Sequence, residues 1–250
     1  MNFPSILQAI NIILILSLLF IAYKYAETFW TFKVNKPYLW TQEEKNISKE
    51  LKALEFESRD KLRFYFFWFQ IERLKNENVK GDFAELGVYK GKIANIIYEM
   101  DKNRVLHLFD TFKGFDEKDL LLERKQVDKF NIAEFSDTSL EGVKNYINGS
   151  EKIIFHPGHF PETTAGLEND FFSFVHLDAD LYASTLAGLN FFYPRLSPGG
   201  VIVIHDYNHN WEGVKKAVKE FMPNIPESLI ELPDIQGSAM IIKNKSIVLI

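Results

Sequence analysis

Cysteine is absent from the chain. That excludes a disulfide scaffold, a thiolate zinc site and a cysteine nucleophile. Positive charge is not in excess either: 29 Lys and Arg stand against 34 Asp and Glu, a net charge of -5. Such a balance argues against a broad nucleic-acid surface. The dinucleotide signature G-x-G-x-x-G is missing. So is any charged side chain before Lys24. What remains is 46% hydrophobic and 25% charged, with aromatics at 15% and 23 Phe among them. This is the composition of a folded protein. From Lys24 onward the chain is long enough for one α/β domain with a large core.

The uncharged N-terminus holds the run Ile6 to Tyr23, interrupted only by Gln8, Asn11 and Ser17. About 20 helical residues at 1.5 Å each match a bilayer core of about 30 Å. A cleaved signal peptide would carry a basic region before the run and a small-residue cleavage site after it, and neither is present. A buried core helix is the bland alternative. An uncleaved transmembrane anchor fits best. Lys24, Lys33 and Lys36 follow the run, so the positive-inside rule places the C-terminal bulk in the cytoplasm.

Beyond it, Glu43 to Asn76 is charged and helix-prone around the aromatic cluster Phe64 to Phe69. We expect it to pack on the domain as one or two helices, with a membrane contact or a substrate lid as alternatives. Strand-like and helix-like segments then alternate. The strands expected are 82–86, 105–109, 152–155, 172–177, 201–204, 229–232 and 239–242. The helices expected are 92–100, a segment running through Tyr146, 183–193 and 211–221. Thr138 and Glu141 offer a capping box for the second of these. Ser197 to Gly200 reads as a turn before the fifth strand. Alternation of this kind predicts a mostly parallel sheet covered on both faces.

Two constellations carry chemistry. The first is Glu85-x-Gly87-x-x-x-Gly91 at a strand-to-helix junction, with Asp110 ending the next strand. Glycines there let a ligand approach the backbone, and a carboxylate at Asp110 can accept from ribose hydroxyls. Tyr89 stands where a pyrophosphate turn would need glycine, and Glu85 suits a sulfonium and an amino group better than a diphosphate. An incidental glycine turn is the bland reading. The second is a pair of acidic strand ends, Asp178 in HLDADLYAST and Asp206 in VIVIHDYN. Parallel strands bring both to one sheet edge, where two carboxylates and a third ligand can hold a divalent ion. His205 can add a nitrogen or act as a base. Asp180 reads as a helix N-cap. His156 and His159 follow another strand on that edge, and His159 is a candidate general base.

The segments GDFAELGVYKG, HLFDTFKGF, FVHLDADLYAST and GGVIVIHDYN together resemble the macrocin O-methyltransferase (TylF-type) family of class I S-adenosylmethionine-dependent methyltransferases. The similarity runs in order from about Arg59 to Ile242. It implies a Rossmann-like seven-stranded sheet, helices on both faces and an antiparallel last strand. It implies methyl transfer to a hydroxyl, often of a sugar, helped by Mg²⁺ or another divalent cation. Glu85, Gly87, Tyr89 and Gly91 match the cofactor turn. Asp110, Thr111 and Phe112 match the ribose-binding strand end. Ser136, Asp137 and Ser139 fall where adenine contacts are expected. Asp178 matches the first metal aspartate and Asp206 the second of a paired Asp-Asp-Tyr, whereas His205 replaces the first of that pair. That departure leaves two alternatives to the family's hard Mg²⁺ site: a softer ion, or a site using only Asp178, Asp206 and water. Asp178, His205 and His159 are the catalytic candidates, and Asp178, His205 and Asp206 the metal candidates.

The resulting expectation has a transmembrane anchor over 1–24, a helical linker and lid region over 25–76 and a methyltransferase domain over 77–250. Its partners are a small-molecule or glycan acceptor and the membrane, with a homodimer left open and no nucleic acid. The competing functions are a non-catalytic membrane-tethered binding protein and another nucleotide-dependent enzyme on a Rossmann-like fold. Methyl transfer to any acceptor excludes the first.

Overall fold

The computed structural model describes residues 5–31, 36–123, 135–148 and 151–245. The chain divides into two compact units, Met1–Lys45 and Asn46–Ile250. In the first, α1 (Ile6–Thr31) is a 26-residue helix. Its stretch Ile6–Ala26 is long and apolar enough to cross a membrane, and none of it is buried. A short helix, α2 (Tyr38–Glu43), follows.

The second unit opens with α3 (Lys49–Glu57) and α4 (Lys61–Asn76). Each starts where a side chain accepts an otherwise orphaned N–H: Ser48 from Leu51 at 3.1 Å and Asp60 from Arg63 at 3.0 Å. The aromatic cluster on α4 is core. Phe64, Tyr65, Phe67 and Trp68 are buried, and Phe67 meets Phe174 edge to face.

The sheet has seven strands: β1 (Asp82–Leu86), β2 (Leu106–Asp110), β3 (Ile153–Pro157), β4 (Phe172–Leu177), β5 (Leu196–Ile204), β6 (Ile230–Glu231) and β7 (Ala239–Ile242). Their order is β3-β2-β1-β4-β5-β7-β6. The pairs among β1 to β5 are parallel, and β7 runs antiparallel to both β5 and β6. Between them lie α5 (Lys92–Met100), α6 (Glu117–Leu122), α7 (Leu140–Ile147), α8 (Tyr182–Arg195) and α9 (Glu212–Phe221). Every residue of β4 is buried, as expected for a central strand covered on both faces. Each large apolar side chain enclosed this way contributes about 1.5–3 kcal/mol.

Two local expectations are corrected. Ser197 to Gly200 is not a turn outside the strand. It lies inside β5, where the pairing jumps from Phe172↔Leu196 to Phe174↔Val201. Gly199, at φ +83°, supplies the backbone freedom for that irregularity. The N-cap of α7 is Ser139, which accepts from the N–H of Gly142 at 3.1 Å. The Thr138 hydroxyl instead donates to the carbonyl of Tyr89.

The chain reverses its direction of winding between β1 and β4, so a crevice opens at their C-terminal ends. The ends of β2 and β5 lie beside it.

Candidate active site

A cavity of about 440 Å³ occupies this crevice. The turn after β1 forms one wall. Gly87 has φ +90°, and a Cβ on it would lie 1.9 Å from the carbonyl oxygen of Asp178. Gly87 therefore lets two strand ends touch. Gly91 caps α5 in the left-handed region and leaves room for Val143 and Ile147 of α7. Both glycines were expected to admit a ligand. Their packing need is chain against chain, and only Gly87 lines the cavity. Tyr89 sits at φ +52°, and its hydroxyl donates to Asp137 at 2.6 Å.

Asp110 holds this turn in place. Its Oδ2 accepts from the N–H groups of Val88 and Tyr89 at 2.7 and 2.9 Å, and its Oδ1 from Phe112 at 2.6 Å. A carboxylate has about four acceptor sites, so three are already used. Asp110 is thus first a structural clasp, with about one lone pair left for a ligand. Thr111 faces the cavity, but its hydroxyl donates to the carbonyl of Gly114 at 2.5 Å. The Phe112 ring is buried, packs toward Phe155 and does not line the cavity. Ser136, Asp137 and Ser139 do not line it either. They surround a neighbouring recess with Lys90, Lys92 and Tyr146.

The β4 and β5 ends supply the other wall. His205 Nδ1 lies 2.7 Å from Asp178 Oδ1 and 3.1 Å from Asp206 Oδ2. Burial alone would push the His205 imidazole down, but the two carboxylates overcome this and raise it to about 10. Burial likewise works against the charged form of Asp178, yet His205 holds that carboxyl below the usual range. Asp180 is not a helix cap: Leu181 occupies that position. At φ +59° it lines the cavity beside Asp178 and Asp206. Burial, then the charges of Asp178 and Asp206, push its carboxyl well up.

Glu85 lines the same cavity and is buried, with Oε1 2.9 Å from His176 Nδ1 and Oε2 unpartnered. Burial and the nearby Asp178 and Asp110 raise its carboxyl well above the ordinary range. Burial drives His176 down to about 3.

His159 reaches the cavity from the segment after β3. Its Nε2 lies 3.0 Å from Asp119 Oδ1, and its Nδ1 is buried without a hydrogen-bond partner. Ser184 donates to the other Asp119 oxygen. If Nε2 carries the proton to Asp119, the basic lone pair is on Nδ1. His156 is elsewhere: it stacks on Phe109 at 4.3 Å and contacts His107.

The atoms offered by Asp178, His205 and Asp206 all lie within 4.8 Å of one another. Nε2 of His205 and Oδ1 of Asp206 are buried without hydrogen-bond partners, while Nδ1 of His205 is held between the two carboxylates. Mixed carboxylate and imidazole donors in that condition fit a divalent cation.

Reading strands and spacing missed Asp180, Arg63, Asp119 and His176. An Arg inside the apolar stretch Leu62 to Phe69 was the available signal for Arg63. The Asp-x-Asp spacing was the signal for Asp180.

A family model described as macrocin-O-methyltransferase (TylF) matches residues 42–239. Mycinamicin III 3''-O-methyltransferase of Micromonospora griseorubida is 28% identical over 182 residues, spanning 67% of this chain and 70% of that protein. The 8-demethyl-8-(2,3-dimethoxy-alpha-L-rhamnosyl)-tetracenomycin-C 4'-O-methyltransferase of Streptomyces olivaceus is 30% identical over 150 residues, spanning 55% of this chain and 57% of that protein. The solved structure of the O-methyltransferase NovP shares the fold, with a TM-score of 0.62 and 23% identity over 74% of this chain and 81% of that one.

Proposed function

The chain belongs to the macrocin O-methyltransferase (TylF) family of methyltransferases, and on that footing we propose that it transfers a methyl group from S-adenosylmethionine to a hydroxyl of a sugar. One observation carries the reading. Asp178, His205 and Asp206 converge beside the Gly87 turn in a single cavity at the β1/β4 crevice. The relatives support the acceptor class, since one is named for a reaction on a rhamnosyl group.

Methyl transfer breaks a carbon–sulfur bond and forms a carbon–oxygen bond, and the hydroxyl proton must leave. The cavity walls align donor and acceptor, which supplies much of the rate. Glu85, whose Oε2 is unpartnered, offers an acceptor to the cationic donor. Asp178, His205 and Asp206 would hold a divalent ion, which supplies polarisation of the acceptor hydroxyl when bound. His159, oriented by Asp119, and Asp180 both face the cavity and are placed to take the proton. Residues 1–24 serve as a single-pass anchor with the catalytic domain on the cytoplasmic side. The exposed helix Ile6–Ala26 and the lysines after it support that placement. A lipid-linked sugar is then an acceptor within reach.

The test is mass spectrometry of glycans and glycolipids from cells with and without the gene. A sugar that loses one methyl when the gene is removed, and regains it with the wild-type gene but not with Asp178→Asn, is the expected result. Identical methylation in all three strains would reject the proposal.

A further inference from the structure

Arg63 lines the cavity together with Lys92 and with Lys90, which pairs with Asp137, and the proposed mechanism leaves the Arg63 charge unused. Arg63 lies in the first turn of α4, fixed there by the Asp60 cap. Its Nη1 is buried and has no hydrogen-bond partner. Among the described residues no carboxylate forms an ion pair with it, although Glu85 and Asp178 both feel its charge. A buried guanidinium N–H without an acceptor is costly, and such a group in a binding cavity points to a missing anion. Glu85 Oε2 is the complementary orphan: an acceptor, buried, unpartnered and in the same cavity.

Two unsatisfied groups of opposite character suit a ligand that carries both charges. A simple anion would meet Arg63 but be repelled by the carboxylates around it. An amino-acid zwitterion meets both. We propose that Arg63 receives the α-carboxylate of the methyl donor, while Glu85 faces its ammonium group. The assignment rests on the methyl-donor reading above. It makes α4 part of the cofactor site, and Arg63 a binding residue. Guanidinium is the right group for the task, because its planar fork can meet both carboxylate oxygens at once.

The experiment uses the full-length protein in detergent and two ligands, S-adenosylmethionine and its decarboxylated analogue, titrated by calorimetry. The wild type should prefer the carboxylate-bearing ligand by about 10- to 100-fold, the worth of a charge-assisted contact. Arg63→Gln should lose most of that preference, with the decarboxylated analogue binding within about threefold of wild type. Arg63→Lys, which keeps the charge without the fork, should fall between. If Arg63→Gln does not fold, the wild-type ratio and Arg63→Lys decide. Equal wild-type affinity for the two ligands overturns the assignment, and so does a variant that weakens both in step. If the wild type binds neither ligand, the methyl-donor reading itself falls.

Discussion

At the residue scale, His205 is the most informative side chain. Its imidazole sits between two carboxylates, where an all-oxygen site would have a third. Imidazole suits Fe²⁺, Ni²⁺ and Zn²⁺ better than Mg²⁺. His205→Asp should therefore lower the Zn²⁺-to-Mg²⁺ affinity ratio by about tenfold or more. Calorimetric titration of chelator-stripped protein with each ion measures this, and an unchanged ratio would remove His205 from the ligand set. His156 makes a different prediction. Burial and the neighbouring His107 lower its pKa to about 4, against about 6.5 for a free histidine. Between those values the unfolded chain takes up a proton that the native chain refuses. Stability is thus present above about pH 6.5 and lost as the pH falls toward 4, by on the order of 1–3 kcal/mol for this group. Urea unfolding at pH 7 and 4.5 should show a smaller acid loss in His156→Phe than in wild type. An equal loss in both would assign the effect to other groups.

At the scale of elements, the sequence was legible wherever pattern and punctuation agreed. The strands 82–86, 172–177 and 239–242 and the helix 92–100 have the boundaries that their apolar patterns imply. Acidic strand ends could be placed on one edge because parallel strands leave no other arrangement. What could not be read was what each glycine or turn residue meets. Ser-Pro-Gly-Gly serves equally well for a turn or for an irregular strand start, and only its pairing with β4 decides. The glycines after β1 announce a close approach but not its partner. Gly87 approaches the carbonyl of Asp178, which lies 91 residues away in the chain. Gly87→Ala should accordingly cost about 3 kcal/mol or more, or prevent folding, since Cβ would strike backbone as well as demand a strained φ. Gly166 has a similar φ, +89°, but open space around it. Its change to Ala should cost only the strain, about 1–2 kcal/mol. Denaturant unfolding of the two variants separates the terms, and equal losses would mean that the β1–β4 approach is not what Gly87 serves.

At the scale of the whole molecule, the two compact units divide the work proposed for them. Removal of residues 1–31 should move the protein from the membrane to the soluble fraction while S-adenosylmethionine binding persists. Full-length protein that fractionates as soluble without detergent would refute the anchor. Protease added outside intact cells should leave the domain uncut, and digestion would reverse the orientation. The central claim is methyl transfer to a sugar hydroxyl at the Asp178–His205–Asp206 cavity. It is tested most directly by incubating the protein and methyl-labelled S-adenosylmethionine with the carbohydrate and glycolipid fraction of gene-deleted cells. The account predicts label in an alkali-stable sugar methyl ether, lost in the Asp178→Asn/Asp206→Asn double variant. Label confined to alkali-labile esters or to amines, or ether formation undiminished in that variant, would contradict it.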